Sequence, residues 1–314
     1  MNNLIFALNA TMPVFLMMVL GYILKQLKWI DEEFAGKINS FVFHLPLPVL
    51  VFKDLAIVDF TEVWDTKFVA FCFVATLISI LLAAGISFLW QDKSIQGEFV
   101  QASYRSSAAI LGIAFIQNIY GNAGMGPLMV VASVPLYNVA AVLILTLLGK
   151  EHKKMDKVLL IKTLKGIITN PIIIGIVLGF AWSLLRIPMS AIMEKTVTNV
   201  ANIATPLGLM AMGAAFDWKK AFAKMKPALT AVMIKLAGFV LIFLPIAIKM
   251  GFREEKLVAL LVMLGSATTI SCYVMAKNMG HEGTLTSSVI MLTTLFCAFT
   301  LTGWLFVLRS IGLI

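Results

Sequence analysis

Ten apolar stretches separated by short polar connectors run the length of this 314-residue chain, at roughly 4–25, 35–57, 66–90, 99–120, 126–148, 163–186, 192–216, 227–249, 255–277 and 284–308. A helix of about 20 apolar residues crosses the hydrocarbon core of a bilayer, and a helix satisfies its own backbone polar groups there. The pattern therefore predicts an all-α integral membrane protein of about ten transmembrane helices. Six of the joints are marked by clustered charge, and nothing between spans is long enough to form a separate domain. The run at 4–24 lacks a basic leading region and a convincing cleavage site, so it reads as a first span that stays.

Several of these stretches repeat. Thr11, Pro13, Val19, Leu20, Gly21, Tyr22, Leu27 and Lys28 return 158 positions later as Thr169, Pro171, Val177, Leu178, Gly179, Phe180, Leu185 and Arg186. The same offset carries Pro48 onto Pro206 and Asp59 onto Asp217. Farther along, a shift of 153 sets Gly112-Ile113-Ala114 on Gly265-Ser266-Ala267. The reading is a duplicated five-helix unit, residues 1–150 and 151–314. Because five is odd, the second copy enters the membrane inverted. Inverted repeats are typical of secondary transporters, which hold their solute near the midplane between the copies.

Composition agrees with burial in lipid. The chain is 60% hydrophobic and 13% charged, where a soluble domain carries about 25% charged residues. The net charge of +9 comes from Lys and Arg in connectors, not from an arm or patch, and no recognition motif accompanies it, which excludes a nucleic-acid partner. Topology accounts for it better. The connectors after odd-numbered spans hold 15 Lys and Arg and the opposite side holds 8, which places both termini on the non-cytoplasmic side of a cell membrane. Trp29, Trp64, Trp90 and Trp218 fall at span ends, where an aromatic belt belongs. Cys72, Cys272 and Cys297 form an odd set inside apolar runs, and His44, His152 and His281 are far apart. No disulfide framework, metal site or cofactor motif is legible. No nucleophile–base pair is visible within the spans, so the chain does not read as an enzyme.

The polar residues that enter the spans cluster at matching places in the two repeats. Span 4 carries Gln101, Ser103, Arg105, Ser106 and Ser107 before an apolar run containing Gly112 and Ala114. Span 9 carries Gly265, Ser266, Ala267, Thr268, Thr269, Ser271 and Cys272 through its middle. Small hydroxyl residues around a glycine suit an interrupted membrane helix, because they allow close approach and can satisfy freed backbone groups. A broken helix exposes the N-terminus of its second half, with roughly half a positive charge and free N–H groups, which suits an anion. The substrate-binding candidates are Ser107, Gly112, Ala114, Asn138, Ser266, Ala267 and Thr268, with Arg105, Lys235 and Thr269 behind them. The other reading of the serines and threonines is tight helix packing. Asn138, inside span 5, either bonds a neighbouring helix or faces substrate. Lys235 and Arg105 either contact substrate, pair within the bundle or snorkel toward water. Gly175 and Gly179 form a small-xxx-small packing face in span 6.

Several segments together resemble the auxin efflux carrier family of transporters. They are Ile38-Asn39 through Leu47-Pro48-Val49-Leu50-Val51-Phe52, and Arg105-Ser106-Ser107 through Gly112 to Ile119-Tyr120-Gly121. Further along stand Pro135-Leu136-Tyr137-Asn138-Val139, Asn170-Pro171 with Val177-Leu178-Gly179, Pro206-Leu207-Gly208-Leu209 with Gly213, and Ser271-Cys272-Tyr273-Val274-Met275-Ala276. The resemblance implies two inverted five-helix repeats with broken helices 4 and 9 crossing beside the substrate, an architecture related to the bile-acid sodium symporters. It implies a scaffold of spans 1, 2, 6 and 7 and a moving transport domain of spans 3–5 and 8–10. Family members carry organic anions by an elevator-like movement. The chain departs from the family in three places. Ala114 and Ala267 stand where prolines are usual at the breaks, Ser107 replaces a common asparagine, and residues 68–89 hold no charge.

The expected function is a permease for a small organic anion, a carboxylate, with the lipid bilayer as its surroundings and a homodimer left open as its assembly. The alternatives are a sodium-coupled symporter of bile-acid-carrier type and a membrane sensor with the same fold and no transport.

Overall fold

The computed structural model describes residues 2–56, 64–122, 124–148, 165–166 and 168–314. Every described span is helical. Span 1 is α1 (Asn2–Gln26), span 3 is α4 (Thr66–Ser87), span 5 is α7 (Gly126–Leu147), and spans 6 and 7 are α8 (Pro171–Leu184) and α9 (Ala191–Ala214). Span 10 is α15 (Thr284–Ser310). Asp65, Asn170 and Ser190 accept first-turn N–H groups and so start α4, α8 and α9, and Pro171 follows its cap at a position where no N–H is needed. Large apolar side chains such as Phe73, Leu81, Val177, Leu178, Leu241 and Phe299 face outward, as lipid requires.

Four spans are interrupted. Span 2 is α2 (Glu32–His44) and α3 (Pro46–Ala56), which part at Leu45. Pro46 donates no N–H and forces the residue before it out of the helical region, so this break follows from the sequence although the continuous run at 35–57 gave no sign of it. Span 8 is α11 (Met225–Met233) and α12 (Phe239–Lys249) around a π-helical turn, Ile234–Gly238. There the indole of Trp304 donates to the Leu236 carbonyl at 3.2 Å. Span 4 is α5 (Gln96–Tyr104), a π turn at Ala108–Gly112 and α6 (Ile113–Tyr120), and span 9 is α13 (Glu254–Gly265) and α14 (Ser271–Asn278). Between spans 7 and 8 lies a short helix, α10 (Trp218–Ala223), capped by Asp217, which accepts from Lys219 and Lys220. Asp59, its counterpart at the 158 offset, lies outside the described residues.

The glycines of the repeat mark where helices meet. A Cβ on Gly21 would sit 2.1 Å from the Met210 carbonyl oxygen, and one on Gly179 would sit 2.8 Å from that of Phe52. Phe52 plus 158 is 210, and Gly21 plus 158 is 179, so one contact is the copy of the other. Span 1 packs on span 7 as span 6 packs on span 2. Gly175 meets the Pro48 backbone and Gly213 that of Met18 at similarly short range, and at these four places no side chain fits.

Burial divides into two main cores. One joins Phe68, Cys72, Val100, Phe115, Met129, Phe243, Leu260 and Leu301, from spans 3, 4, 5, 8, 9 and 10. The other joins Met18, Val42, Val51, Ile172, Ile176 and Leu209, from spans 1, 2, 6 and 7, to the inner faces of spans 5 and 9 at Ala141, Cys272 and Val274. Span ends pair as alternating crossings require. Lys256 and Asp65 tie the starts of spans 9 and 3 at 2.6 Å, and Lys224 and Glu282 tie the approaches to spans 8 and 10 at 2.7 Å. The Lys256 ammonium, helped by the Phe68 N–H, holds the Asp65 carboxyl below the usual carboxylate range.

Candidate functional site

Both broken spans become extended for a few residues in the interior. Arg105 has ψ 131° after α5, and Ser266 has ψ 167° after α13. Extended backbone in a dry interior needs partners for its N–H and C=O groups, and each break supplies them to the other. The Ser107 N–H donates to the Ala267 carbonyl at 2.9 Å. The Thr268 hydroxyl donates to the Ala102 carbonyl at 2.8 Å, its N–H donates to the Thr293 hydroxyl at 3.0 Å, and the Gln101 amide donates to the Cys272 carbonyl at 2.9 Å. These bonds tie the two breaks to each other and to span 10.

Lys235 locks the crossing. It is fully buried, and its ammonium donates to the carbonyls of Tyr104 at 3.3 Å and Leu264 at 2.8 Å and to the Ser106 hydroxyl. Tyr104 ends α5 and Leu264 is the next-to-last residue of α13, so one cation caps the carbonyl ends of both first halves. Each such end carries about half a negative charge. The lysine neither snorkels nor opens onto a cavity.

Arg105 has a different setting. It is 2% exposed, and one terminal nitrogen donates to the Asn138 carbonyl oxygen and the Ser271 hydroxyl, both at 2.8 Å, while the other approaches the Met275 sulfur. Its Nε has no hydrogen-bond partner. All of these partners are neutral, and no carboxylate among the described residues pairs with it. Beside it lies a cavity of about 50 Å³, lined by Ser107, Ala108 and Ala109 where span 4 restarts and by Thr269, Ile270 and Ser271 where span 9 restarts. At about 10–15 Å³ per water-sized occupant this holds three to five of them, the scale of a small carboxylic acid. The first turns of two helices, with N–H groups that have no intrahelical partner, thus border the space that the guanidinium faces. The far wall comes from span 2 (Leu47, Leu50, Val51, Asp54) and Thr205 of span 7. Leu47 and Thr205 are themselves 158 residues apart.

The candidates read from the sequence separate in space. Ser107, Asn138, Thr269 and Arg105 line the cavity. Both ends of the Asn138 amide are engaged, the oxygen by Arg105 and the nitrogen by the Val134 carbonyl, so its first task is to hold the guanidinium. Ala267 and Thr268 build the crossing from behind. Ser266 is fully buried, away from the cavity, and its hydroxyl has no partner. Gly112 and Ala114 were expected at the break and lie past it, in the π turn and in α6. The chain opens at 105–107, where Ser106 and Arg105 find partners on span 9. The break positions are thus related by about 160, and the 153 shift that matched Gly112 to Gly265 is out of register by about two turns.

Asp54, Tyr137, Thr205 and Ser271 also line the cavity and were not among the candidates. Asp54 sits in the last turn of α3, where a charged residue reads as the end of a span. Glu98 is buried too, but its carboxylate accepts the Gly283 and Thr286 N–H groups and the Thr286 hydroxyl, so it is committed to starting α15. A larger cavity of about 150 Å³ between spans 1, 7 and 10 is lined by Phe15, Met18, Met212, Phe216 and Met291 and carries no charged group.

Comparison with known proteins places this geometry. Residues 6–305 match the family described as membrane transport protein. A Rhizobium meliloti protein named "Putative malonate transporter" is 25% identical over 95% of both chains. A protein of Methanothermobacter thermautotrophicus named "Uncharacterized transporter" is 22% identical over 96% of this chain and 98% of its own. The sodium proton antiporter MjNhaP1 of Methanocaldococcus jannaschii superposes with a TM-score of 0.64 at 13% identity, over 95% of this chain and 97% of its own, a likeness of fold.

Proposed function

This chain belongs to the membrane transport protein family, to which the auxin efflux carriers belong, and is a multi-pass membrane transporter; from that premise we propose that it is a secondary carrier of a small organic anion, a carboxylate bound at Arg105. The observation that carries this reading is a buried guanidinium with only neutral hydrogen-bond partners, lining a small cavity between the restarts of spans 4 and 9. A buried cation bonded only to neutral groups is costly, and an anionic ligand reduces that cost. The restarts of spans 4 and 9 add positive helix ends on the same side. The name of the Rhizobium relative supports a small carboxylate as the class of solute.

An elevator-like movement fits the placement of the cavity. Spans 1, 2, 6 and 7 serve as scaffold and spans 3–5 and 8–10 as the transport domain, in the repeats 1–150 and 151–314. The cavity walls divide along that line, with Leu47, Leu50, Val51, Asp54 and Thr205 on one side and Arg105, Asn138 and Ser271 on the other. Sliding one set past the other would expose the anion to alternate faces of the membrane.

Ligand binding to the purified carrier tests the assignment. Malonate at a hundred times its dissociation constant stabilises the folded state by about 2.7 kcal/mol, and the thermal transition should rise, with or without sodium. Ser107→Ala removes one hydroxyl from the cavity and should weaken that binding about 12- to 150-fold, the worth of one hydrogen bond to a charged group, about 1.5–3 kcal/mol. Ser266→Ala, away from the cavity, should not. Stabilisation by amines or sugars and by no carboxylate would reject the anion.

The distribution of Lys and Arg supports both termini on the non-cytoplasmic side. Cysteines introduced near Lys153 should then be shielded from an impermeant thiol reagent in intact cells, while those near Glu62 should label. The opposite labelling would reverse the orientation.

A further inference from the structure

Asp54 is the one carboxylate among the described residues that line the cavity. It reaches the cavity from span 2 while Arg105 reaches it from the break in span 4. The two form no ion pair, and among the described residues no hydrogen bond fixes the Asp54 carboxylate. Glu98, the other buried acid near span 4, is fully engaged as a helix cap. Asp54 therefore has a free carboxylate facing the space an anion would fill.

Among the described residues few other charged groups surround it, and the one that acts on it electrostatically is Lys53. Lys53 is on its own helix, one residue away and so about 100° around the axis. Arg105 and the Tyr137 phenol face the cavity from spans 4 and 5. Span 6 (α8), packed on α3, has no titratable residue. On span 7, Glu194 and Lys195 are exposed and lie about three turns from the cavity-lining Thr205.

Charge in the cavity then decides which states can cross the membrane. With the cavity empty, Asp54 as carboxylate and Arg105 as guanidinium sum to zero. With a carboxylate bound and Asp54 still ionised, two negative charges face one positive. Two carboxylates sharing a site cannot both ionise cheaply, so one takes a proton. For a singly charged anion, hydrogen malonate included, the protonated Asp54, the bound carboxylate and Arg105 again sum to zero. A net charge in a low-dielectric interior is expensive, so the neutral empty state and the neutral proton-loaded state are the ones in which the Arg105 site slides past Asp54.

We infer that Asp54, fixed on the scaffold, is the proton-accepting group past which the Arg105 site slides: it takes up one proton as the anion-loaded site passes and gives it up toward the other side as the empty site returns, making transport an electroneutral proton–anion symport. The inference rests on the anion reading above. In Asp54→Asn the loaded state stays neutral, but the empty state keeps the uncompensated charge of Arg105. The loaded carrier should shuttle while the empty one cannot return. Exchange would survive, and net movement would not.

The test uses the full chain in proteoliposomes with radiolabelled malonate. The parent should accumulate it when the outside is made acid, by up to about tenfold per pH unit for one coupled proton, since one unit is about 1.36 kcal/mol. Asp54→Asn should exchange external for internal malonate at close to the parent rate and lose gradient-driven accumulation. Asp54→Glu should regain part of it. Protonation of malonate itself affects all three alike. Accumulation by Asp54→Asn at the parent level, or a parent that exchanges malonate with no response to the gradient, overturns the inference and leaves the anion reading standing. A parent that exchanges no malonate overturns both. If Asp54→Asn fails to fold, as judged by its thermal transition, the response of the parent still decides.

Discussion

Arg105→Met should abolish carboxylate binding while leaving the empty carrier as thermally stable as the parent, or slightly more so. Removing one partner of a buried, hydrogen-bonded charge pair costs a complex about 2–5 kcal/mol, so affinity should fall by about thirtyfold to several thousandfold. The empty carrier is another matter. Its guanidinium pairs with the neutral Asn138, Ser271 and Met275, beside the positive end of α14. No carboxylate among the described residues bonds it directly, and Asp54 across the cavity can take a proton once the guanidinium is gone, so replacing this buried charge with an apolar side chain of similar length should be neutral or stabilising. Arg105→Lys keeps the charge but loses the planar fork, so it should recover only part of the affinity. Thermal transitions of the three proteins with and without malonate check this. A large drop in the stability of empty Arg105→Met, with the malonate response intact, would make Arg105 a structural residue and leave the cavity without its anion ligand.

The behaviour of Arg105 illustrates what could be read from the chain alone. The spans were legible because a bilayer imposes one length and one composition on each helix, and the repeat because Gly21, Pro48 and their copies hold backbones in contact. That spans 4 and 9 are broken was also legible, from small hydroxyl residues crowded where lipid-facing helices have none. The register of the break was not. Gly112 drew attention as a helix breaker, yet the chain opens at Arg105–Ser107, because their partners lie on span 9. Arg105 bonds Ser271, 166 residues away, and Asn138, 33 away. Whether a basic side chain turns inward or snorkels depends on such contacts, and no local pattern contains them. Asp54 stayed hidden for a related reason. At the end of an apolar run an acid looks like the edge of the membrane, and only the bend at Leu45–Pro46 and the packing of α3 against spans 6 and 7 reveal that it faces the cavity.

Lys235→Met should have the opposite signature to Arg105→Met, a large loss of stability whether or not a ligand is present. Both residues are buried bases in the membrane, but their counter-charges differ. The ammonium of Lys235 sits between two helix carbonyl ends, each worth about half a negative charge, so together they stand in for the missing carboxylate. Its three acceptors, the carbonyls of Tyr104 and Leu264 and the Ser106 hydroxyl, have few alternatives so deep in the bundle. Methionine fills the space of the stem but donates nothing, and leaves two negative ends facing each other. Each buried acceptor left unpaired costs about 1–3 kcal/mol, so the crossing should lose on the order of 3 kcal/mol or more. The desolvation recovered by deleting the charge is smaller here, because the carbonyls already do much of the work of water. At roughly 2–4 °C per kcal/mol, the thermal transition of the empty carrier should fall by about 10 °C. What remains folded should still bind malonate, since Lys235 is not among the residues lining the cavity. An unchanged transition with binding lost would move Lys235 into the anion site and remove it from the crossing; an unchanged transition with binding intact would mean that the two half-helix ends need no cation between them.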